Sequence, residues 1–133
     1  VLDLADLELQ AGQAQQAQAH LREIEDAVDG GRQGPLGLRA QALLGVALVQ
    51  LGQPADAEPL LRRVLEARRR MYGDGNVWTG EARLYLGLCL LRVGKAAEGQ
   101  ALIREGRPQF TRAAGEDHFA VRLADDALQT MRH

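Results

Sequence analysis

The sequence predicts an all-α protein, a right-handed superhelical solenoid of about three and a half helix–turn–helix hairpins. Three observations predict it. One phrase recurs: "LQAGQAQQAQAHL" at residues 9–21, "VQLGQPADAEPLL" at 49–61 and "LRVGKAAEGQALI" at 91–103. Hydrophobic residues make up 46% of the 133, yet aromatics only 4%, so the core must be built from Leu, Ala and Val. Leu and Ala are strong helix formers, and only four prolines interrupt them.

The repeat has a mechanical reading. The copies align on Gly12, Gly52 and Gly94. Each of these glycines ends an apolar-periodic stretch, the place of a left-handed helix C-cap. Pro54, two residues beyond Gly52, suits the first position of the next helix. Each copy therefore reads as helix, tight turn, helix. A small residue lies seven places before the anchor (Ala5, Gly45, Gly87) and another five places after it (Ala17, Ala57, Gly99). Facing one another across the hairpin, they let two helices approach at the short end of the roughly 8–10 Å range. Gly45 is expected against Ala57, and Gly87 against Gly99. Leu21, Leu61 and Ile103 then close each seam.

A second echo marks the joints. "YGDGNVW" (72–78) matches "AGEDHFA" (114–120), and the first joint, "DGGRQGP" (29–35), is looser. Gly73 and Gly115 end long second helices. Asp74, Asn76, Glu116 and Asp117 offer caps and first-turn acids to the helices that follow. The helices are expected near 1–11, 13–29, 36–51, 54–72, 77–93, 96–113 and 117–132. They fall in one domain, 1–133, with repeats at 1–30, 36–73 and 77–115 and a final helix at 117–132. Pro59 and Pro108 lie inside second helices, where a kink or local break is expected, and Gly106 is expected to add flexibility.

These residues carry a resemblance. "LLGVALVQLGQPADAEPLL" and "YLGLCLLRVGKAAEGQALI" look like tetratricopeptide repeats. Leu44, Gly45, Leu48, Gly52, Ala57 and Leu61 match that motif in order. Leu86, Gly87, Leu90, Gly94, Gly99 and Ile103 match it with one weakened position. Residues 1–30 give a partial copy with Glu8 where a large apolar residue belongs. The period of 40–42 exceeds the usual 34. It is similar to the long-helix variety of kinesin light chains, and to arrays attached to bacterial serine/threonine kinases and signalling regulators. The motif's early Trp and late Pro are missing.

The resemblance implies a function class. Stacked hairpins present a concave surface lined by the first helix of each unit. Phase and the family pattern assign its stripe to Ala42, Val46, Val49 and Gln50 in the second unit, and to Leu84, Leu88, Leu91 and Arg92 in the third. This stripe is largely apolar. It implies a groove for a protein or peptide partner, such as an amphipathic helix, with Gln50 and Arg92 as orienting polar groups. The chain then reads as a non-catalytic scaffold module of a larger bacterial signalling or regulatory protein. The alternative is an architectural spacer or homodimerisation module that buries the stripe in an assembly. The Lys and Asn that hold acidic carboxyl tails in some relatives are replaced here by Ala42, Val46, Leu84 and Leu88.

Other classes find no support in the residues. The net charge is −2, with seven acids and one Arg in residues 1–30 and seven Arg and three acids in 31–72. No segment has the sustained basic excess of a nucleic-acid binder. No run reaches the about 18 apolar residues of a membrane span, and no signal peptide is visible. There is no phosphate-binding Gly–Lys loop, no Cys–His pair and no serine anywhere, so neither an enzyme nor a cofactor is expected. His20, Glu23 and Asp26 share a helix face, but a metal needs more convergent ligands. Cys89 excludes an internal disulfide and reads as a small buried hydrophobe, consistent with a cytoplasmic, reducing location. The chain begins at Val1 and carries one Lys among sixteen basic residues. It reads as a piece of a longer protein from a GC-rich bacterial genome. The arginines of "LLRRVLEARRRMY" read as a solvated convex face, and Trp78 as packing on the preceding helix.

Overall fold

The computed structural model describes residues 2–27 and 34–131. Residues 29–33 of the first joint lie outside them. The described residues form seven helices and no strand: α1 (Leu2–Gln10), α2 (Ala14–Ala27), α3 (Pro35–Gln50), α4 (Pro54–Tyr72), α5 (Val77–Arg92), α6 (Ala96–Ala114) and α7 (Phe119–Met131). The chain separates into two compact units, residues 1–64 and 65–133, and the division falls within α4.

The turn written three times is one structure made three times. Gly12, Gly52 and Gly94 have φ of 79°, 79° and 91°, a region that costs a residue with a Cβ. The N–H of each glycine donates to the carbonyl three residues back: Leu9 at 3.2 Å, Val49 at 3.0 Å and Leu91 at 3.3 Å. The next N–H reaches five residues back: Gln13 to Glu8 at 2.7 Å, Gln53 to Leu48 at 2.8 Å and Lys95 to Leu90 at 2.8 Å. This double bond pattern is the Schellman closure, which satisfies the last carbonyls of the first helix while reversing the chain.

The helix starts are locally written too. Pro35 and Pro54 open α3 and α4, where the missing N–H costs nothing. Asn76 Oδ1 accepts the Trp78 N–H at 2.8 Å and caps α5. His118 Nδ1 accepts the Ala120 N–H at 3.1 Å at the start of α7. Pro59 and Pro108 do not break their helices, which run unbroken over Pro54–Tyr72 and Ala96–Ala114.

In the first unit, Leu9, Leu21, Leu43, Val46 and Leu61 are fully buried. Gly45 sits against the Leu61 side chain: a Cβ there would lie 2.5 Å from Leu61 Cδ2. The three atoms nearest to that Cβ all belong to Leu61, so the seam-closing leucine stands closer there than Ala57, the expected neighbour. The imperfect first copy is repaired by pairing. Glu8 is 7% exposed, and the His20 ring nitrogen Nδ1 lies 2.7 Å from its carboxylate across α1 and α2.

In the second unit, α5 and α6 meet backbone to backbone. A Cβ on Gly87 would lie 2.9 Å from the Gly99 carbonyl oxygen, and one on Gly99 would lie 2.8 Å from that of Gly87. Gly106 is a second such crossing rather than a flexible point. A Cβ there would lie 2.8 Å from the Gly80 carbonyl oxygen and 2.7 Å from Arg83 Cβ. The pairings 87–99 and 80–106 run in opposite directions, so α5 and α6 form an antiparallel hairpin. Tyr85, Leu86, Leu90, Ile103, Phe110 and Phe119 fill the space around it.

Candidate functional site

Residues 42–49 of α3 and 84–91 of α5 have no polar face. Every residue of α3 from 40 to 49 is buried, and so is every residue of α5 from 79 to 91. Their sequences explain this. "ALLGVALV" and "LYLGLCLL" are apolar on all sides, and a helix apolar all round is a core helix. The second helices α2, α4 and α6 are amphipathic instead and carry most of the surface charge.

This decides where the expected stripe lies. Ala42, Val46 and Leu84 are 0% exposed, Leu88 2%, Val49 4% and Leu91 8%. They offer no open apolar groove, which differs from the sequence expectation. The expectation took one stripe of each helix as uncovered, whereas the helices carry apolar residues on every face. Gln50 and Arg92 are exposed, at equivalent places two residues before Gly52 and Gly94. Gln50 Nε2 donates to the Leu9 carbonyl at 3.3 Å. Arg92 has no ion-pair partner among the described residues.

The arginines of α4 do not form one solvated face. Arg62 pairs with Glu58 at 2.9 Å, and Arg70 approaches Glu66 at 3.8 Å. Arg68 turns inward: its side chain is 3% exposed, and Nη1 donates to Glu81 Oε1 at 3.0 Å and to the Trp78 carbonyl at 2.9 Å. Its guanidinium lies 5.6 Å from the Trp78 ring centroid, so Trp78 does pack on the preceding helix while remaining 39% exposed. Thr79 completes this joint, donating from Oγ1 to the Gly73 carbonyl at 2.8 Å.

Asp74 is a clamp rather than a helix cap. Its carboxylate accepts from Arg69 Nε at 2.8 Å and Arg83 Nη2 at 3.1 Å. Its carbonyl accepts from Arg83 Nη1 at 2.6 Å and from Gln109 Nε2. The hydrogen bond from Arg69, then that cation's charge, hold the Asp74 carboxyl below the usual carboxylate range. In the last joint, Arg107 reaches Asp125 at 3.0 Å and Glu116 at 3.2 Å, which raises its already high pKa further.

A cleft of about 290 Å³ opens in the first unit, lined from α2 by Arg22, from α3 by Leu44 and Leu48, and from the turn and α4 by Gln53, Asp56, Pro59, Leu60 and Arg63. Sequence reasoning missed it. Its residues lie on three helices, and no local motif joins them.

Among the described residues no group of three or more His, Cys, Asp and Glu side chains is arranged to hold a metal ion. None of their helices is long and apolar enough to cross a membrane. Cys89 is buried.

A sequence model of the tetratricopeptide repeat family matches residues 1–70, more than half of the chain. No curated protein and no solved structure matches it.

Proposed function

From the premise that this chain belongs to the tetratricopeptide repeat family, whose repeats are non-catalytic scaffolds that mediate protein–protein interaction, we propose that it is a protein- or peptide-binding module of a larger bacterial signalling or regulatory protein. The supporting observation is the division of labour among its helices. α3 and α5 are consumed as core, which leaves the charged second helices and the helix ends to meet a partner. Within the stripe, Gln50 and Arg92 are the contact positions, and Ala42, Val46, Val49, Leu84, Leu88 and Leu91 support them from beneath. Arg92, exposed and without an ion-pair partner among the described residues, is suited to take a carboxylate from the partner.

The test is crosslinking from a photoreactive residue placed at Gln50 or Arg92 in the source cell, read by mass spectrometry. A partner crosslinked from these positions and lost on Arg92→Glu supports the reading. A partner crosslinked only from elsewhere removes these two positions.

A second reading, a spacer or homodimerisation module, draws on Leu4 and Leu7. They lie one turn apart on α1 and are 47% and 62% exposed. Mass in solution separates the two. A dimer dissolved by Leu7→Lys favours the spacer, and a monomer favours partner binding.

A further inference from the structure

Two leucines of α1 are exposed at positions that the later copies of the repeat bury. Aligned on Gly12, Gly52 and Gly94, Leu4 corresponds to Leu44 and Leu86, and Leu7 to Ala47 and Cys89. Leu4 is 47% exposed, against 3% and 2% for its counterparts. Leu7 is 62% exposed, against 0% for both of its own. Other positions of α1 behave as in the later copies: Ala5, Glu8 and Leu9 are buried, and Gln10 is exposed like Gln50 and Arg92. The difference is the neighbour. α3 has a preceding second helix, α2, packed against it, and Arg22 of α2 shares a cleft with Leu44 and Leu48. α5 has α4, whose Arg68 donates to the Trp78 carbonyl and to Glu81. α1 meets its own hairpin partner α2 and also α3, and both leave Leu4 and Leu7 exposed.

We propose that the Leu4–Leu7 face of α1 docks an amphipathic α-helix of a partner protein, seated as α2 is seated on α3. The site rests on the reading of the chain as a protein-binding module and is separate from the contact positions Gln50 and Arg92. The repeat itself names the occupant. One exposed leucine is ordinary, but two at i and i+3 form a single ridge, and on α3 the same ridge is buried with a second helix alongside. The ridge is aliphatic, so it selects a helix that presents leucine-like or alanine side chains at i, i+3 and i+7 to interlock with it. α1 has 9 residues and is about 13 Å long, so the seat takes roughly two or three turns of the partner. The last helix offers no such seat. Aligned on Gly73 and Gly115, α7 carries Arg122 and Gln129 where α5 has Gly80 and Gly87, the glycines through which it takes α6. Both are exposed, and a helix crossing there has to displace two long polar side chains.

The experiment titrates the whole chain with an acetylated and amidated alanine-based helical peptide, followed by leucine-methyl and amide NMR. The peptide carries one stripe of leucines and Glu–Lys pairs on its other faces. A peptide of identical composition, with its leucines spread around the helix, is the control. The expected result is a saturable shift of the Leu4 and Leu7 methyls with the striped peptide and none with the control. Affinity should fall roughly tenfold or more in Leu7→Lys, and that variant should melt with the parent because so exposed a side chain carries little stability. Leu4→Ala, which adds no charge, should weaken binding in the same direction. Equal binding of both peptides would overturn the helix seat. Shifts that leave Leu4 and Leu7 unmoved would overturn the site. A chain that is dimeric in solution and becomes monomeric in Leu7→Lys would overturn the partner helix and give the face to a second copy. Shifts at Gln50 or Arg92 alone would overturn this inference while leaving the module reading intact, since the crosslinking described above tests that reading without reference to Leu4 or Leu7.

Discussion

The hairpins α3–α4 and α5–α6 answer to the same repeat, yet they close in different ways. In the first, Gly45 meets a side chain, Leu61, whose end can turn aside. In the second, Gly87 and Gly99 meet each other's carbonyl oxygens, and Gly80 and Gly106 repeat the arrangement two turns away. The second unit also buries an ion pair, Arg68–Glu81, with side chains 3% and 1% exposed. The pairs of the first unit are wetter: His20 is 37% exposed and Arg39, 3.6 Å from Asp6, is 21% exposed. A repeat motif therefore specifies where helices come close. It does not specify whether the contact tolerates change. That depends on whether a rotatable side chain or fixed backbone stands opposite.

The sharpest contrast should come from charge. Glu81→Ala leaves the Arg68 guanidinium buried without its counterion, and the expected loss is about 3–5 kcal/mol. Glu8→Ala in the first unit should cost well under half of that, because His20 can turn to solvent. Urea unfolding of both variants measures the difference, and equal losses would erase the distinction between the units.

Packing should come next. Gly87→Ala places a methyl 2.6 Å from Ile103 Cγ1 and 2.9 Å from the Gly99 carbonyl oxygen, which cannot move without parting the helices. The expected cost is roughly 1–3 kcal/mol. Gly45→Ala displaces only the Leu61 side chain and should cost less than Gly87→Ala in the same assay. The reverse order would show that Leu61, fully buried, is as immovable as backbone.

The smallest effect is electrostatic. Asp74 has its folded pKa lowered, so its clamp on Arg69 and Arg83 stabilises fully above the unfolded carboxylate pKa and fades as pH falls through the depressed folded value. Asp74→Asn should flatten that part of the acid limb of stability against pH. An unchanged acid limb would show that the clamp's charge contributes nothing, as exposed pairs often do.

The sequence revealed what is local. Gly12, Gly52 and Gly94, the small residues beside each turn, and the Asn76 cap act within a few residues of themselves, and they placed all seven helices to within a few residues. Pro59 and Pro108 were overread, because the helices run through them. Gly106 was misread as slack because its partner, Gly80, lies 26 positions away and has no counterpart in the repeat phrase. Arg68 looked like four other arginines in the same stretch, and only its facing Glu81 makes it a core residue. The stripe from Ala42 to Arg92 was drawn from the family pattern of one open face per first helix. The all-round apolar character of residues 42–49 and 84–91 is present in the sequence and points the other way. The cleft between Arg22 and Arg63 is assembled from α2, α3 and α4, and no linear pattern announces it.

The central claim, that the first helices are core and the partner is met elsewhere, is tested most directly at Leu88, which is 2% exposed. The thermal unfolding of Leu88→Asp is the measurement. Burying an unpaired carboxylate in an apolar helix should remove several kcal/mol and leave the chain unfolded or barely folded at room temperature. A variant that melts with the parent chain and loses its partner would contradict the account, because Leu88 would then line an open groove.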